Sequence, residues 1–136
     1  MRPVRSRIPS LLVALLLTAA HPLFAHHGNS AYDENHQVTI VGTVTEFVWA
    51  NPHCQIFLDV ADDKGKVVHW GIETNSPGRI SRAGWKKSSV KKGDHVALVI
   101  VAAKNGAPIG YIGMGDPGTK LTFDDGRVLD FTEKDQ

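Results

Sequence analysis

The chain has 136 residues, a formal net charge of +1 and one cysteine, Cys54. This length allows a single domain, and a single cysteine excludes an internal disulfide. Three of the basic residues are arginines within the first seven positions, so loss of that segment would change the formal charge from +1 to −2. This balance argues against a nucleic-acid-binding protein, which needs a strongly basic face.

Residues 1–25 have the pattern of a secretory signal peptide. The early arginines form a positive region, residues 8–20 are mostly apolar, and an alanine at position 25 provides a cleavage site. Cleavage after Ala25 is expected, and cleavage after Ala20 is the alternative. The apolar run is shorter than the roughly 20 residues that a membrane span needs. We therefore expect export to the periplasm with no transmembrane span after cleavage, and an uncleaved anchor is the less favoured reading.

The next segment, residues 26–37, is polar, contains histidines and lacks apolar periodicity, so we interpret it as an N-terminal arm. Alternation of apolar and polar residues then predicts strands at 38–48, 53–60 and 67–73. Gly42 inside the first strand suggests a bend or a close backbone approach. An Asn-Pro pair separates the first two strands, and proline there should interrupt the pairing.

The spacing of apolar residues along the chain changes after the third strand. A serine that can cap a helix precedes Pro77, and a glycine at position 84 ends the segment, so a short helix is predicted. The most apolar strand follows at 96–103. A fifth strand has two candidate positions, 109–114 and 120–129, and the second contains an Asp-Asp-Gly hairpin tip.

Three strands, a short helix and two further strands are the order of an OB-like barrel. We therefore predict an all-β fold with one short helix, built as a small OB-like antiparallel β-barrel. The barrel domain is expected to span 38–131, and residues 132–136 form a C-terminal tail. Cys54 is predicted to be a buried apolar residue.

Seven short motifs follow one another along the chain. They are His26-His27, Gly42-Thr43-Val44, Asn51-Pro52-His53, Trp70-Gly71-Ile72-Glu73, Gly84-Trp85, Gly93-Asp94 and Asp125-Gly126-Arg127. This ordered set resembles an uncharacterised family of small exported bacterial proteins, a domain of unknown function. The resemblance spans nearly the whole mature chain and implies export, but it implies no activity. Members typically begin with His-His-Ser, whereas here Gly28 follows the two histidines.

The histidines suggest a metal site. Cleavage after Ala25 would make His26 the first residue, and its α-amine and imidazole could chelate one metal ion. A third nitrogen would complete a histidine brace, which suits Cu(II). His53 beside the Asn-Pro turn is the predicted third ligand, and His27 could instead bind through its backbone amide. Solvated histidines are the alternative, and a zinc hydrolase site is not supported because no carboxylate or thiolate is clearly nearby.

A second hypothesis rests on charge. Residues 79–92 contain six basic residues and no acid: Arg79, Arg82, Lys86, Lys87, Lys91 and Lys92. This segment could bind an anionic headgroup or an acidic envelope partner, or it could be an ordinary solvated face. If Glu73 faces inward, its charge needs a partner such as Arg79 or Arg82.

The Asn-Pro turn is expected to place Trp49, Asn51 and His53 together at the rim of the sheet. A third and weaker hypothesis is a small-ligand site that uses Trp49 and Trp85, with Asn51 among its candidate residues. Tryptophans in such a fold more often pack in the core than bind ligands. No nucleophile elbow, phosphate loop or CxxC motif occurs in the chain. We therefore expect a non-enzymatic protein, either a copper-binding module or a protein that docks on an envelope partner.

Overall fold

The computed structural model describes residues 31–113 and 117–132. These residues form seven strands and one helix. The elements are β1 (Tyr32–Val48), β2 (Gln55–Ala61), β3 (Val67–Glu73), α1 (Pro77–Arg82), β4 (His95–Ala103), β5 (Ile109–Tyr111), β6 (Lys120–Phe123) and β7 (Val128–Leu129). No helix within these ranges has the length and apolar character needed to cross a membrane.

Five of the strands close into a barrel. The order β1-β2-β3-β5-β4 returns to its start because β1 also pairs with β4. This arrangement, with one short helix, confirms the predicted small OB-like barrel. The pairing of β3 with β5 is parallel, whereas the other pairings are antiparallel. The prediction of an antiparallel barrel therefore needs one correction, since an odd number of strands cannot alternate in direction all the way around a closed ring.

Both candidate positions for the fifth strand form strands. β5 lies between β3 and β4 and closes the barrel, whereas β6 and β7 form a hairpin that pairs with β4 outside the ring. The turn of this hairpin lies at the predicted Asp-Asp-Gly tip, where the amide of Gly126 donates to the carbonyl of Phe123 at 2.9 Å.

The first strand begins at Tyr32, six residues before the predicted start at Val38. Tyr32 pairs with Ala103 and Gln37 pairs with Val101, so part of the predicted arm belongs to the sheet. The side chains of residues 34–37 are exposed and carry no apolar periodicity. Backbone pairing with β4 at Tyr32 and at Gln37, with a register shift between them, ties this segment to the sheet, and a side-chain pattern does not report such pairing.

The long strand β1 pairs with two neighbouring strands because it bends near Gly42. β1 pairs with β4 as far as Thr43 and with β2 from Thr43 onward. A Cβ atom on Gly42 would overlap the carbonyl oxygen of Asp59, so the two backbones approach closely. The register with β2 shifts just beyond, between Val44 and Glu46, which is the signature of a β-bulge. The predicted close approach at Gly42 is confirmed.

The core fills the barrel and the space beneath α1. Its largest fully buried side chains include Trp85, Ile56, Leu58, Ile72, Ile80, Leu98, Ile100 and Ile112. Cys54 is also fully buried, as predicted. Asn51 and Pro52 lie between the paired strands β1 and β2, joined by a cis peptide bond.

Candidate functional site

The turn between β1 and β2 places His53 against Glu73, the last residue of β3. Nδ1 of His53 is hydrogen-bonded to Oε1 of Glu73, and the two side chains are 30% and 33% exposed. The backbone beyond His53 is fixed to the same strand end, because the amide of Cys54 donates to the carbonyl of Asn75 at 3.1 Å and the amide of Thr74 donates to the carbonyl of Cys54 at 2.9 Å. We call His53 and Glu73 the rim pair.

The rim pair determines which ring nitrogen can act as a ligand. An ionised carboxylate only accepts hydrogen bonds, so in a neutral ring paired with ionised Glu73 the hydrogen would be on Nδ1 and the lone pair on Nε2. Metal-binding histidines commonly show this arrangement, in which a carboxylate orients the ring and raises its basicity. The partner of Glu73 is thus His53, not the arginines that the sequence suggested.

Two tyrosines lie beside the rim pair, and neither was predicted as a site residue. Tyr111 is buried and lies opposite Glu73 in the register of β3 and β5. The ring of Tyr32 meets that of Tyr111 edge to face, with centroids 4.9 Å apart. Burial, and to a lesser extent the charge of Glu73, raises the pKa of Tyr32. Tyr32 is the first residue of β1, so the start of this strand lies close to the rim pair.

Of the three predicted metal ligands, the structure describes only His53, since His26 and His27 lie outside the described residues. Within residues 31–113 and 117–132, no three His, Cys, Asp or Glu side chains are grouped to hold a metal ion. A complete metal site would therefore need donors from outside these ranges.

Two other histidines also have carboxylate partners. Nδ1 of His69 lies 2.5 Å from Oδ1 of Asp59, and Nδ1 of His95 lies 2.9 Å from Oδ1 of Asp124. Both rings are much more exposed than that of His53. The rim pair is therefore the most enclosed of the three histidine–carboxylate pairs that the described residues form.

The proposed small-ligand residues do not form one surface. Trp85 is 1% exposed, and its Nε1 donates to the carbonyl of Asp130 at 2.6 Å while its ring stacks on Phe131 at 5.1 Å. Trp85 is therefore a core residue and not part of a ligand surface. Trp49 is half-buried and Asn51 is exposed, so these two remain at the rim near His53.

The basic segment, residues 79–92, has two distinct sides. Four apolar residues face the core and are buried: Ile80, Ala83, Trp85 and Val90. All six basic residues of the segment are exposed. Ser76 caps the start of α1 by accepting a hydrogen bond from the amide of Arg79. The positive charges thus project from a segment that the core holds in place.

Together these features define a small closed β-barrel with a histidine–carboxylate pair at its rim and an exposed basic segment beside its helix. The chain belongs to a family of unknown function, DUF6152, whose model matches residues 14–112. The match includes the rim pair, both tyrosines and the basic segment, and it confirms membership in an uncharacterised family. No curated protein and no solved structure matches the chain.

Proposed function

We propose that this protein is an exported periplasmic binding module that binds Cu(II) through nitrogen ligands at the barrel rim. His26 supplies two nitrogens, its α-amine and its imidazole, and Nε2 of His53 supplies the third; the alternative donor is the backbone amide of His27. The observation that carries this proposal is the rim pair, because the contact between Nδ1 of His53 and Glu73 is the one by which carboxylates commonly orient metal-binding histidines. The role is binding and not catalysis.

The distance along the chain is compatible with this site. Ala31 is tied to the end of β4, since the amide of Lys104 donates to its carbonyl at 3.0 Å. Four residues lie between His26 and Ala31, and the five Cα–Cα steps of this segment span up to about 17 Å when the chain is extended. The charge of Glu73 contributes to the raised pKa of the neighbouring Tyr32, so Tyr32 lies near the rim pair. An N-terminal imidazole therefore needs only a short segment to approach His53.

The donor types favour copper over zinc. An α-amine and two imidazoles provide only nitrogen, and nitrogen-rich tetragonal sites suit Cu(II). Structural zinc sites usually include thiolates, but Cys54 is fully buried in the core. Copper binding should weaken as the pH falls, because protonated amines and imidazoles cannot act as ligands.

Copper titration of three proteins tests the proposal: the chain beginning at His26, the same chain with an added N-terminal methionine, and His53→Ala. The methionine moves the free amine away from the imidazole of His26, so affinity should fall sharply. His53→Ala should also bind more weakly. Equal affinity in all three would overturn the copper proposal. A mass measurement of the N-terminus of exported protein would establish the cleavage site.

We propose as a second candidate that the basic segment docks on an acidic envelope partner. The supporting observation is that all six basic residues are exposed while the apolar side of the same segment is buried. Reversing Lys86, Lys87, Lys91 and Lys92 to glutamate should abolish co-purification with that partner and leave the fold unchanged. Unchanged co-purification would show that the segment is an ordinary solvated face.

A further inference from the structure

A cleft of about 490 Å³ lies between α1 and the loop that enters β6. Residues that are distant in the chain line it: Asn75, Arg79, Gly113, Thr119, Lys120 and Phe131. Its volume lies within the range of small-molecule sites, about 300–1,000 Å³. The cleft is separate from the rim pair, because neither His53 nor Glu73 lines it.

Hydrogen bonds and close packing fix the walls of this cleft. Nδ2 of Asn75 donates to the carbonyl of Gly113 at 2.6 Å, and the amide of Gly113 donates to Oγ1 of the buried Thr119 at 2.8 Å. Gly113 has a φ of 77°, and a Cβ atom there would overlap the ring of Phe131. The cleft is therefore a built feature whose shape depends on contacts between separate segments.

The charges that line the cleft are mainly positive. Arg79 comes from α1 and Lys120 from β6. In the part of the chain that the structure describes, neither side chain forms an ion pair. Asp130 also lines the cleft, and its Oδ1 already accepts a hydrogen bond from the amide of Thr132 at 3.1 Å. Among the described residues that line the cleft, there are thus two cations without ion-pair partners and one carboxylate, a balance that favours an anionic ligand.

We propose that this cleft binds a phosphate group. The planar guanidinium of Arg79 suits two parallel hydrogen bonds to phosphate oxygens, and the ammonium of Lys120, which lines the same cleft, supplies a second positive charge. Two cations match the dianion of inorganic phosphate better than the single charge of a carboxylate, and the phosphodiester of a lipid headgroup carries one negative charge. The ligand is either free phosphate or the phosphate of a lipid headgroup. This inference does not depend on copper binding.

Titration with inorganic phosphate, followed by NMR shifts of the amides of Gly118, Thr119 and Lys120, tests the site. We expect saturable shifts in the wild-type chain and at least about a tenfold weaker response in the double variant Arg79→Gln, Lys120→Gln, because two of its donors are lost. The matched control is Lys64→Gln, Lys66→Gln, which removes the same charge from the exposed turn between β2 and β3 and should bind phosphate as the wild type does.

Three results would overturn the proposal: no saturable response, equal weakening in the two double variants, or acetate binding as tightly as phosphate. The amide spectrum of each variant shows whether the fold is kept. Vesicles of phosphatidylglycerol and of phosphatidylcholine then separate the two phosphate sources. If the wild type and the control bind the anionic vesicles and the cleft variant does not, the ligand is the lipid headgroup. Phosphate binding without such vesicle binding assigns the free ion.

Discussion

Nδ1 of His53 is hydrogen-bonded to Oε1 of Glu73, although the two residues are twenty positions apart in the chain. The contact forms because the turn after β1 folds back over the end of β3, where backbone hydrogen bonds at Cys54 and Thr74 join the two segments. A histidine held in this way differs from a histidine in a solvated turn, since a carboxylate fixes the orientation of its ring. The predictions on metal binding depend on this difference.

Glu73→Ala should weaken Cu(II) binding by about 10–100-fold, the usual effect of losing a carboxylate that orients a metal-binding histidine. Glu73→Gln should cost less, because its amide oxygen still accepts a hydrogen bond from Nδ1. Copper titration measures both. Asp59→Ala is the control, since it removes the carboxylate partner of the exposed His69. If the two alanine variants lose the same affinity, Glu73 has no special role.

The tautomer of His53 can be measured without metal. The ring ¹⁵N shifts of the metal-free protein should show hydrogen on Nδ1 and a lone pair on Nε2, because the carboxylate of Glu73 accepts from Nδ1. In Glu73→Ala this preference should disappear. Hydrogen on Nε2 in the wild type would contradict the proposed orientation whatever the result with copper.

Gly42→Ala should destabilise the fold by about 1–3 kcal/mol, the usual cost of inserting a group where there is no room. The new Cβ would overlap the carbonyl oxygen of Asp59 and lie 2.9 Å from Cγ2 of Val60. Urea unfolding measures the effect. Gly78→Ala is the matched control in α1, where a Cβ meets nothing within 4 Å, and it should leave stability unchanged or raise it. Equal midpoints for the two variants would contradict the close approach of β1 and β2.

Trp85→Ala should cost about 3–5 kcal/mol, as expected for deleting a large buried aromatic side chain. The variant loses the stacking on Phe131 and the hydrogen bond from Nε1 to the carbonyl of Asp130. Trp49→Ala should cost less, because that ring is only half-buried. Chemical denaturation of both variants makes the comparison, and similar losses would mean that Trp85 is not the core residue described above.

Cys54 should resist thiol reagents in the folded protein and react once the chain is unfolded. Burial raises the pKa of its thiol, and a backbone hydrogen bond from Ala50 only partly opposes this. Above a pH of about 8.5 the unfolded thiol loses its proton before the folded one does, so stability should fall as the pH rises. In Cys54→Ala, stability should fall less over the same pH range, because the thiol is absent. If the stability of the two proteins falls equally as the pH rises, the raised pKa of the Cys54 thiol is contradicted.

Much of the fold can be read from local patterns. Alternating residues predicted the first three strands, and a capping serine before Pro77 predicted the short helix. Gly42 marked a close backbone approach that the structure contains. Each of these signals lies within about ten consecutive residues, because side-chain periodicity, proline geometry and helix capping act over that distance.

Contacts between distant segments needed the tertiary structure. The sequence identified His53 and Arg79 as candidates. It did not show that Glu73 is hydrogen-bonded to His53, or that Lys120 lines the same cleft as Arg79. It also missed the start of β1 at Tyr32, whose place depends on pairing with β4. Local propensities determine which segments become strands. Barrel closure determines which strand ends meet, and the residues of both candidate sites come together only where those ends and their loops converge.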